Sequence, residues 1–291
     1  MAKRKSRPIP TIPEAVPSLF DAHTHLYATV RKMGFELASD PDAYRVGVEH
    51  IMERAKQAGV QGVCTIGDGI EETERAVEAA GFHPRVWAAV AIHPTEAHTM
   101  SGQVRERLTE LAQDPRCVAI GETGLDTYWI GKDEETPSLE IQEEAFRWHI
   151  DLAVETGKPL MIHNREAEEE ILRVLEDAPQ PDTVIMHCFS SPLEVAEECL
   201  RRGYVLSFSG NATFKRNEDL REAVRIADEG QILVETDAPF MTPEPFRGAR
   251  NEPAFVGHTA RALAEVRGMD PEAFGQLVTA NAQRIYGITW E

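Results

Sequence analysis

Cysteine is scarce in this sequence, and long apolar runs are absent. The four cysteines show no Cys-x-x-Cys spacing, so neither a zinc knuckle nor a disulfide framework is indicated. Cys64 and Cys117 lie inside apolar runs, and we expect buried thiols in a reducing cytoplasm. No run approaches the roughly 18 apolar residues that a membrane span needs. The basic start lacks the apolar segment of a secretory signal, and we interpret residues 1–17 as a flexible arm.

Basic residues are also few relative to acidic ones. The chain has 30 lysines and arginines against 49 aspartates and glutamates, which gives a formal net charge of −19. A protein that holds a long duplex through many phosphate contacts usually carries a broad basic face. The composition therefore disfavours extended duplex as a partner. It permits a polyanion whose charge is met locally, by metal ions or by a few arginines.

The sequence has no GxGxxG motif after its first apolar run, which disfavours the alternative of a doubly wound dinucleotide-binding sheet. Instead, short apolar runs alternate with amphipathic helical stretches to the end of the chain. Eight parallel strands suffice to close a barrel. We therefore predict one α/β domain over residues 18–291, a (β/α)8 TIM-type barrel. Its predicted strands are Leu19–Ala22, Val60–Ile66, Val86–Ile92, Cys117–Gly121, Pro159–Ile162, Thr183–Met186, Tyr204–Phe208 and Ile232–Val234.

Side chains able to bind metals follow five of these strands. Because the C-terminal ends of barrel strands face one mouth, we expect these side chains to converge. Imidazole and carboxylate together suit Zn, Mn, Fe or Mg, and this many ligands predicts two divalent ions that activate a water for hydrolysis. The predicted ligands are His23, His25, Glu122, His163, His187 and Asp237.

Each of these signals has a structural interpretation when it is taken alone. A single buried histidine is usually a core residue, and an isolated Glu122 or Asp237 would serve as a helix cap. At five strand ends together, however, unpaired buried carboxylates and imidazoles are too costly to gather without a cation. Five other histidines lie on predicted helices or loops away from the strand ends, and we expect them at the surface. These are His50, His83, His98, His149 and His258.

The motifs around the predicted ligands resemble, in order, those of the TatD-type metal-dependent deoxyribonucleases. The resemblance covers residues 18–288 and implies a barrel of the amidohydrolase superfamily. It implies one ion on His23, His25, Glu122 and Asp237, and a second on Glu122, His163 and His187, with Glu122 as the bridge. The motifs are Phe20–Leu26, Ala91–Pro94, Ile120–Asp126, Ile162–Arg165, Met186–Ser190, Val234–Pro239, Arg247–Pro253 and Thr279–Gly287.

The resemblance further implies phosphodiester hydrolysis at nucleic-acid ends. We favour a 3′–5′ exodeoxyribonuclease acting on single-stranded or frayed ends of DNA or RNA, with Asp237 as general base and Glu122 as the bridging carboxylate. His93, Arg165 and Arg250 are the expected substrate contacts. Arg247 lies in the same loop as Arg250 and is a further candidate.

Two other functions remain open at this point. A metal-dependent ester or amide hydrolase, such as a D-aminoacyl-tRNA deacylase, would use the same ligands. Amidase relatives often bridge their ions with a modified lysine on strand four, and Glu122 at that place favours a nuclease. A metal-free binding protein would lack some ligands, whereas this sequence has the whole set. No membrane partner is indicated, and the oligomeric state is left open.

Overall fold

The computed structural model describes residues 10–290, and its eight parallel strands pair in sequence order from β1 to β8. Two backbone hydrogen bonds join β1 to the segment after β8, because the N–H of Asp237 donates to His23 O and that of His25 donates to Ala238 O. The predicted TIM-type barrel is therefore confirmed. The strands are β1 Leu19–Thr24, β2 Val60–Thr65, β3 Val86–Val90, β4 Cys117–Asp126, β5 Leu160–Arg165, β6 Val184–Met186, β7 Val205–Phe208 and β8 Ile232–Val234.

At least one α-helix follows every strand in the part of the chain that the structure describes. All seven amphipathic stretches that the sequence predicts between consecutive strands form helices, and so does the predicted stretch at the end of the chain. Two further helices, Leu26–Met33 and Val256–Arg267, were not predicted. The helices are α1 Leu26–Met33, α2 Ala43–Gln57, α3 Ile70–Phe82, α4 Gly102–Ala112, α5 Leu139–Thr156, α6 Glu168–Asp177, α7 Leu193–Arg201, α8 Glu218–Ile226, α9 Val256–Arg267 and α10 Pro271–Tyr286.

The apolar core has two parts. The larger part lies between strands and helices and includes Val48, Phe146 and Leu263. The smaller part includes Phe20 and other strand residues, with Trp290 packed against it. Both faces of the strands are thus buried, which explains why the strands are nearly continuous apolar runs rather than alternating ones.

Strand β4 is longer than predicted and runs on to Asp126, so Glu122 lies within it rather than after it. The two glycines of the strand, Gly121 and Gly124, permit this continuation. A Cβ at Gly124 would lie 2.1 Å from the carbonyl oxygen of His163, and its φ of 143° is unfavourable for other residues. The close approach of β4 to β5 lets the carboxylate of Glu122 reach His163, with Oε2 3.3 Å from Nδ1.

Residues 10–17 pack against the barrel, although the sequence places them in the predicted arm. Val16 is buried, and its N–H donates to Ala58 O. The guanidinium of Arg261 donates to the carbonyls of Glu14 and Ala15. Residues 1–9 of the predicted arm lie outside the described residues. The packed structure therefore starts before the predicted boundary at residue 18.

The prediction of a surface position is wrong for His149, which is fully buried on α5. Its Nε2 accepts a hydrogen bond from the N–H of Ile92, while Nδ1 faces the carbonyl of Ala145 at 2.7 Å. The Oγ1 of Thr123 lies 3.1 Å from the same Nδ1. A neutral ring satisfies this arrangement, and burial lowers the pKa of His149 to about 4. His149 therefore ties α5 to β4 and to the segment that follows β3.

The buried ring of His149 predicts a pH dependence of stability. Its pKa falls from 6.5 in the unfolded chain to about 4 in the folded one, so its contribution is complete above pH 6.5 and is lost as the pH falls through about 4. The contribution is on the order of 3 kcal/mol. Urea unfolding of wild type and of a His149→Gln variant should show a difference in unfolding free energy that shrinks between pH 6.5 and 4. A difference that stays constant over this range would contradict the prediction.

Candidate active site

The six predicted ligands converge at the C-terminal mouth of the barrel, around the carboxylate of Glu122. One oxygen, Oε1, lies 3.7 Å from His23 Nε2 and 3.4 Å from His25 Nε2. The other, Oε2, lies 3.3 Å from His163 Nδ1 and 2.7 Å from His187 Nε2. Each oxygen of Glu122 thus faces a different pair of imidazoles.

Asp237 lies beside His23 and His25, the pair of histidines at the end of β1. Its Oδ1 lies 3.6 Å from His23 Nε2 and 3.4 Å from His25 Nε2. The residue has a φ of 53°, a backbone conformation that is unfavourable for a side chain other than that of asparagine, aspartate or glycine. Its N–H donates to His23 O, and this bond fixes the turn that points the carboxylate at the two histidines.

Charges in the cluster are strongly coupled. Burial opposes ionisation of Glu122, yet the imidazoles of His187 and His23 hold the pKa of this carboxyl well below its ordinary value. Burial also opposes the charging of His187, but Glu122 and Glu235 raise the pKa of its ring well above the ordinary value. Burial and the neighbouring His187 lower the pKa of His23. The carboxylate of Glu122 is therefore ionised and balanced by positive charge held inside the site.

The donor set fits divalent cations. His23 Nε2 is buried and has no hydrogen-bond partner in the described part of the chain, which is costly for a polar atom unless another group binds it. His23 Nδ1 faces the sulfur of Met161 at 3.0 Å, so Nε2 is the nitrogen that points to the centre. Imidazole nitrogens and carboxylate oxygens within 4.8 Å of one another form several overlapping three-residue groups, including His23–His25–Asp237 and His23–Glu122–His187.

The predicted substrate contacts divide into two groups. His93 and Arg165 line the cavity above the cluster, and the volume of this cavity is about 490 Å³. His93 also begins the short 3₁₀ helix Pro94–Thr99, where its Nδ1 accepts from the N–H of Thr95. Arg250 does not line the cavity; its guanidinium donates to the carbonyl of Lys32 at the rim. Arg247 stacks on Phe214, 4.1 Å from the ring centre, and also lies outside the cavity lining.

Several polar residues at the site were not among the predicted ligands. Asp68, after β2, lies 3.4 Å from His25 Nδ1, and Asp126, at the end of β4, lies 3.2 Å from His163 Nε2. Asp21 is buried and accepts from the N–H and hydroxyl of Thr236, which joins β1 to β8. Both Asp68 and Asp126 stand at strand ends. The positional rule that selected Glu122 would have found Asp68, which follows the predicted strand Val60–Ile66 closely. It would not have found Asp126, which lies well beyond the predicted end of its strand at Gly121 and stands at a strand end only because β4 is longer than predicted.

Glu235 orients His187 by contacting the side of its ring that faces away from Glu122. Its Oε1 lies 3.3 Å from His187 Nδ1 and accepts from the N–H of Cys188, while Oε2 accepts from the hydroxyl of Ser207. Because Nδ1 faces the carboxylate of Glu235, the ring is held with Nε2 directed at Glu122.

Removal of the Glu235 charge should weaken metal binding without removing a ligand. We expect Glu235→Gln to lower divalent-metal affinity about 10- to 100-fold, as measured by competition with a chromogenic chelator. Glu229→Gln, at an exposed position in the turn before β8, is the matched control. Unchanged affinity in the Glu235 variant would show that His187 needs no support from this carboxylate.

A parallel α/β barrel that gathers imidazoles and carboxylates at its C-terminal mouth defines the class of barrel-fold, metal-dependent hydrolases. The chain belongs to the TatD family, because the family model described as TatD related DNase matches residues 20–287. The family indicated by the sequence motifs is therefore confirmed, and the chain is an enzyme of the hydrolase class.

Individual relatives agree with this assignment. The chain is 46% identical over 272 residues to an uncharacterized metal-dependent hydrolase TatD of Mycobacterium tuberculosis, covering 94% of this chain and 99% of the relative. It is 34% identical over 247 residues to a 3′-5′ ssDNA/RNA exonuclease TatD of Erwinia billingiae, covering 82% and 93%. The crystal structure of YJJV, a TatD homologue from Escherichia coli, superposes with a TM-score of 0.81 at 24% identity, covering 94% and 100%, and supports the fold.

Within residues 10–290, no α-helix combines the length and apolar character needed to cross a bilayer.

Proposed function

We propose that this protein is a metal-dependent 3′–5′ exonuclease that removes nucleotides from the ends of single-stranded DNA or RNA. The observation that carries the proposal is the placement of Glu122, whose two oxygens face two different pairs of histidines. A carboxylate between two sets of donors suits a bridge between two divalent ions. The relatives that are 3′-5′ ssDNA/RNA exonucleases support the choice of substrate.

The ligand assignment follows these contacts. His23, His25 and Asp237 would hold one ion and His163 and His187 the other, with Glu122 shared between them. Nitrogen and oxygen donors of this kind accept Mg, Mn, Fe or Zn. When bound, such a pair supplies Lewis-acid activation of a water and stabilises negative charge on phosphate oxygens.

The protein's own groups position the substrate and move the proton. Asp237 lies at the cavity wall, where its carboxylate would accept a proton from the attacking water. Arg165 lines the same cavity, and its planar guanidinium suits a phosphate oxygen. His93 would contact the substrate with Nε2, because its Nδ1 is engaged by Thr95.

A direct test uses the purified holoenzyme on a 5′-labelled single-stranded oligonucleotide. We expect a ladder that shortens from the 3′ end, loss of activity with EDTA and recovery on addition of Mg²⁺ or Mn²⁺. A D-aminoacyl-tRNA and a blunt duplex are tested in parallel. Release of the amino acid with no shortening of any strand would replace the nuclease proposal with the deacylase alternative.

A further inference from the structure

Exposed large apolar side chains lie at the mouth of the candidate active site. Of the seven such side chains among the described residues, three line the cavity: Trp129, Phe240 and Met241, which are 37%, 46% and 41% exposed. The other four, all aliphatic, lie on the outer helices: Val46, Ile141, Val154 and Ile226. Exposed aromatic rings beside a polar catalytic centre indicate a binding surface rather than chance exposure.

The two aromatic residues stand on opposite sides of the mouth. Trp129 follows β4 and Phe240 follows β8, and these strands are four apart in an eight-stranded barrel. Both backbones are anchored. The N–H of Trp129 donates to Asp126 Oδ1, and the carbonyl of Phe240 accepts from the buried side chain of Asn251. The rings are therefore presented by fixed loops across the cavity.

A cation accompanies each aromatic site. The ammonium of Lys32 lies 4.2 Å from the ring centre of Phe240. The guanidinium of Arg165 lies 3.8 Å from the ring centre of Tyr128 and 5.3 Å from that of Trp129. In a chain of net charge −19, cations beside exposed rings form a local surface that matches alternating bases and phosphates.

The two aromatic residues and their neighbouring cations are also close to the predicted ligand cluster. The ring of Phe240 lies 5.9 Å from that of His25. Arg165 lies on β5, two residues beyond His163. A nucleotide phosphate at the cluster would therefore place its adjoining bases beside the two rings.

We propose that Trp129 and Phe240 stack on unpaired bases on either side of the scissile phosphate, and that this stacking selects single strands. The inference rests on the proposed nuclease function. Bases inside a duplex already have both faces covered by their neighbours, so a paired end must first fray to reach these rings. Stacking of this kind tolerates any base, because every base has an aromatic face.

Binding to the holoenzyme tests this inference. The probes are dye-labelled, phosphorothioate-linked 10-mers that resist hydrolysis: one of thymidine, the other of abasic tetrahydrofuran units with the same charge. We expect wild type to bind the thymidine strand at least about tenfold more tightly, by fluorescence anisotropy. Trp129→Ala and Phe240→Ala should each weaken thymidine binding about 5- to 100-fold and leave abasic binding unchanged. Trp129→Phe, which keeps an aromatic ring, should retain most of the preference for the thymidine strand.

Ile226→Ala, an exposed apolar position at the end of α8, is the matched control and should behave as wild type. Equal binding of the two strands by wild type, or equal loss of both in the alanine variants, would overturn the inference. If the wild-type enzyme degrades natural strands but binds the thymidine and abasic strands equally, the proposed function stands and the stacking inference fails. A preference for the thymidine strand without hydrolysis of any strand would support the stacking and contradict the proposed nuclease function.

Discussion

Replacing Glu122 with glutamine should lower kcat/KM on a single-stranded oligonucleotide by at least about 10³-fold, which corresponds to about 4 kcal/mol of transition-state stabilisation. The amide retains the shape of the side chain but removes the charge between the two pairs of histidines. An amide offers one acceptor oxygen, whereas the carboxylate places Oε1 against His25 and Oε2 against His187. We therefore expect the variant to lose at least one equivalent of bound metal.

The measurement for Glu122→Gln combines initial rates with metal analysis of the dialysed protein. Glu155→Gln, at an exposed position near the end of α5, is the control for loss of a single carboxylate charge. Circular dichroism checks that both variants fold. A Glu122 variant with wild-type metal content and turnover would show that no ion is bridged at this position.

Asp237→Asn should reduce kcat by about 10²- to 10⁴-fold, the usual contribution of a general base. Asn tolerates the positive φ of this position, so the turn after β8 should persist. The amide can neither accept the proton nor contribute a charge beside His23 and His25. The other side of the site, formed by His163, His187 and Glu122, should keep its metal.

Rates over a pH range, together with metal content, separate the two roles of Asp237. A general base predicts a low kcat even when Mn²⁺ is saturating, whereas a ligand alone predicts recovery at high metal concentration. Asp219→Asn, in the exposed first turn of α8, controls for the loss of charge. Full recovery of kcat with added metal would assign Asp237 to metal binding only.

The sequence was sufficient to predict the barrel and the convergence of its strand ends. Eight apolar runs with helices between them leave few alternatives, and the parallel arrangement places every C-terminal strand end at one mouth. The six predicted ligands therefore meet, although they are spread from residue 23 to residue 237. Their role as metal ligands stays a prediction.

Other features depend on tertiary contacts that periodicity does not encode. His149 lies in an amphipathic helix like any surface histidine, and only the approach of Ile92 and Thr123 makes its position polar and buried. The support of His187 by Glu235 joins the ends of β6 and β8, which are separated by β7, and this contact depends on side-chain directions that the sequence pattern does not give. The paired rings of Trp129 and Phe240 lie in loops, whose paths sequence patterns do not determine.

Anomalous diffraction from crystals soaked in Mn²⁺ tests the central claim most directly. We expect two peaks about 3.5–4 Å apart, one on each side of the Glu122 carboxylate, with His25 and Asp237 at the first and His187 and His163 at the second. A single peak remote from Glu122, or peaks that His23, His25, His163 and His187 do not contact, would contradict the account.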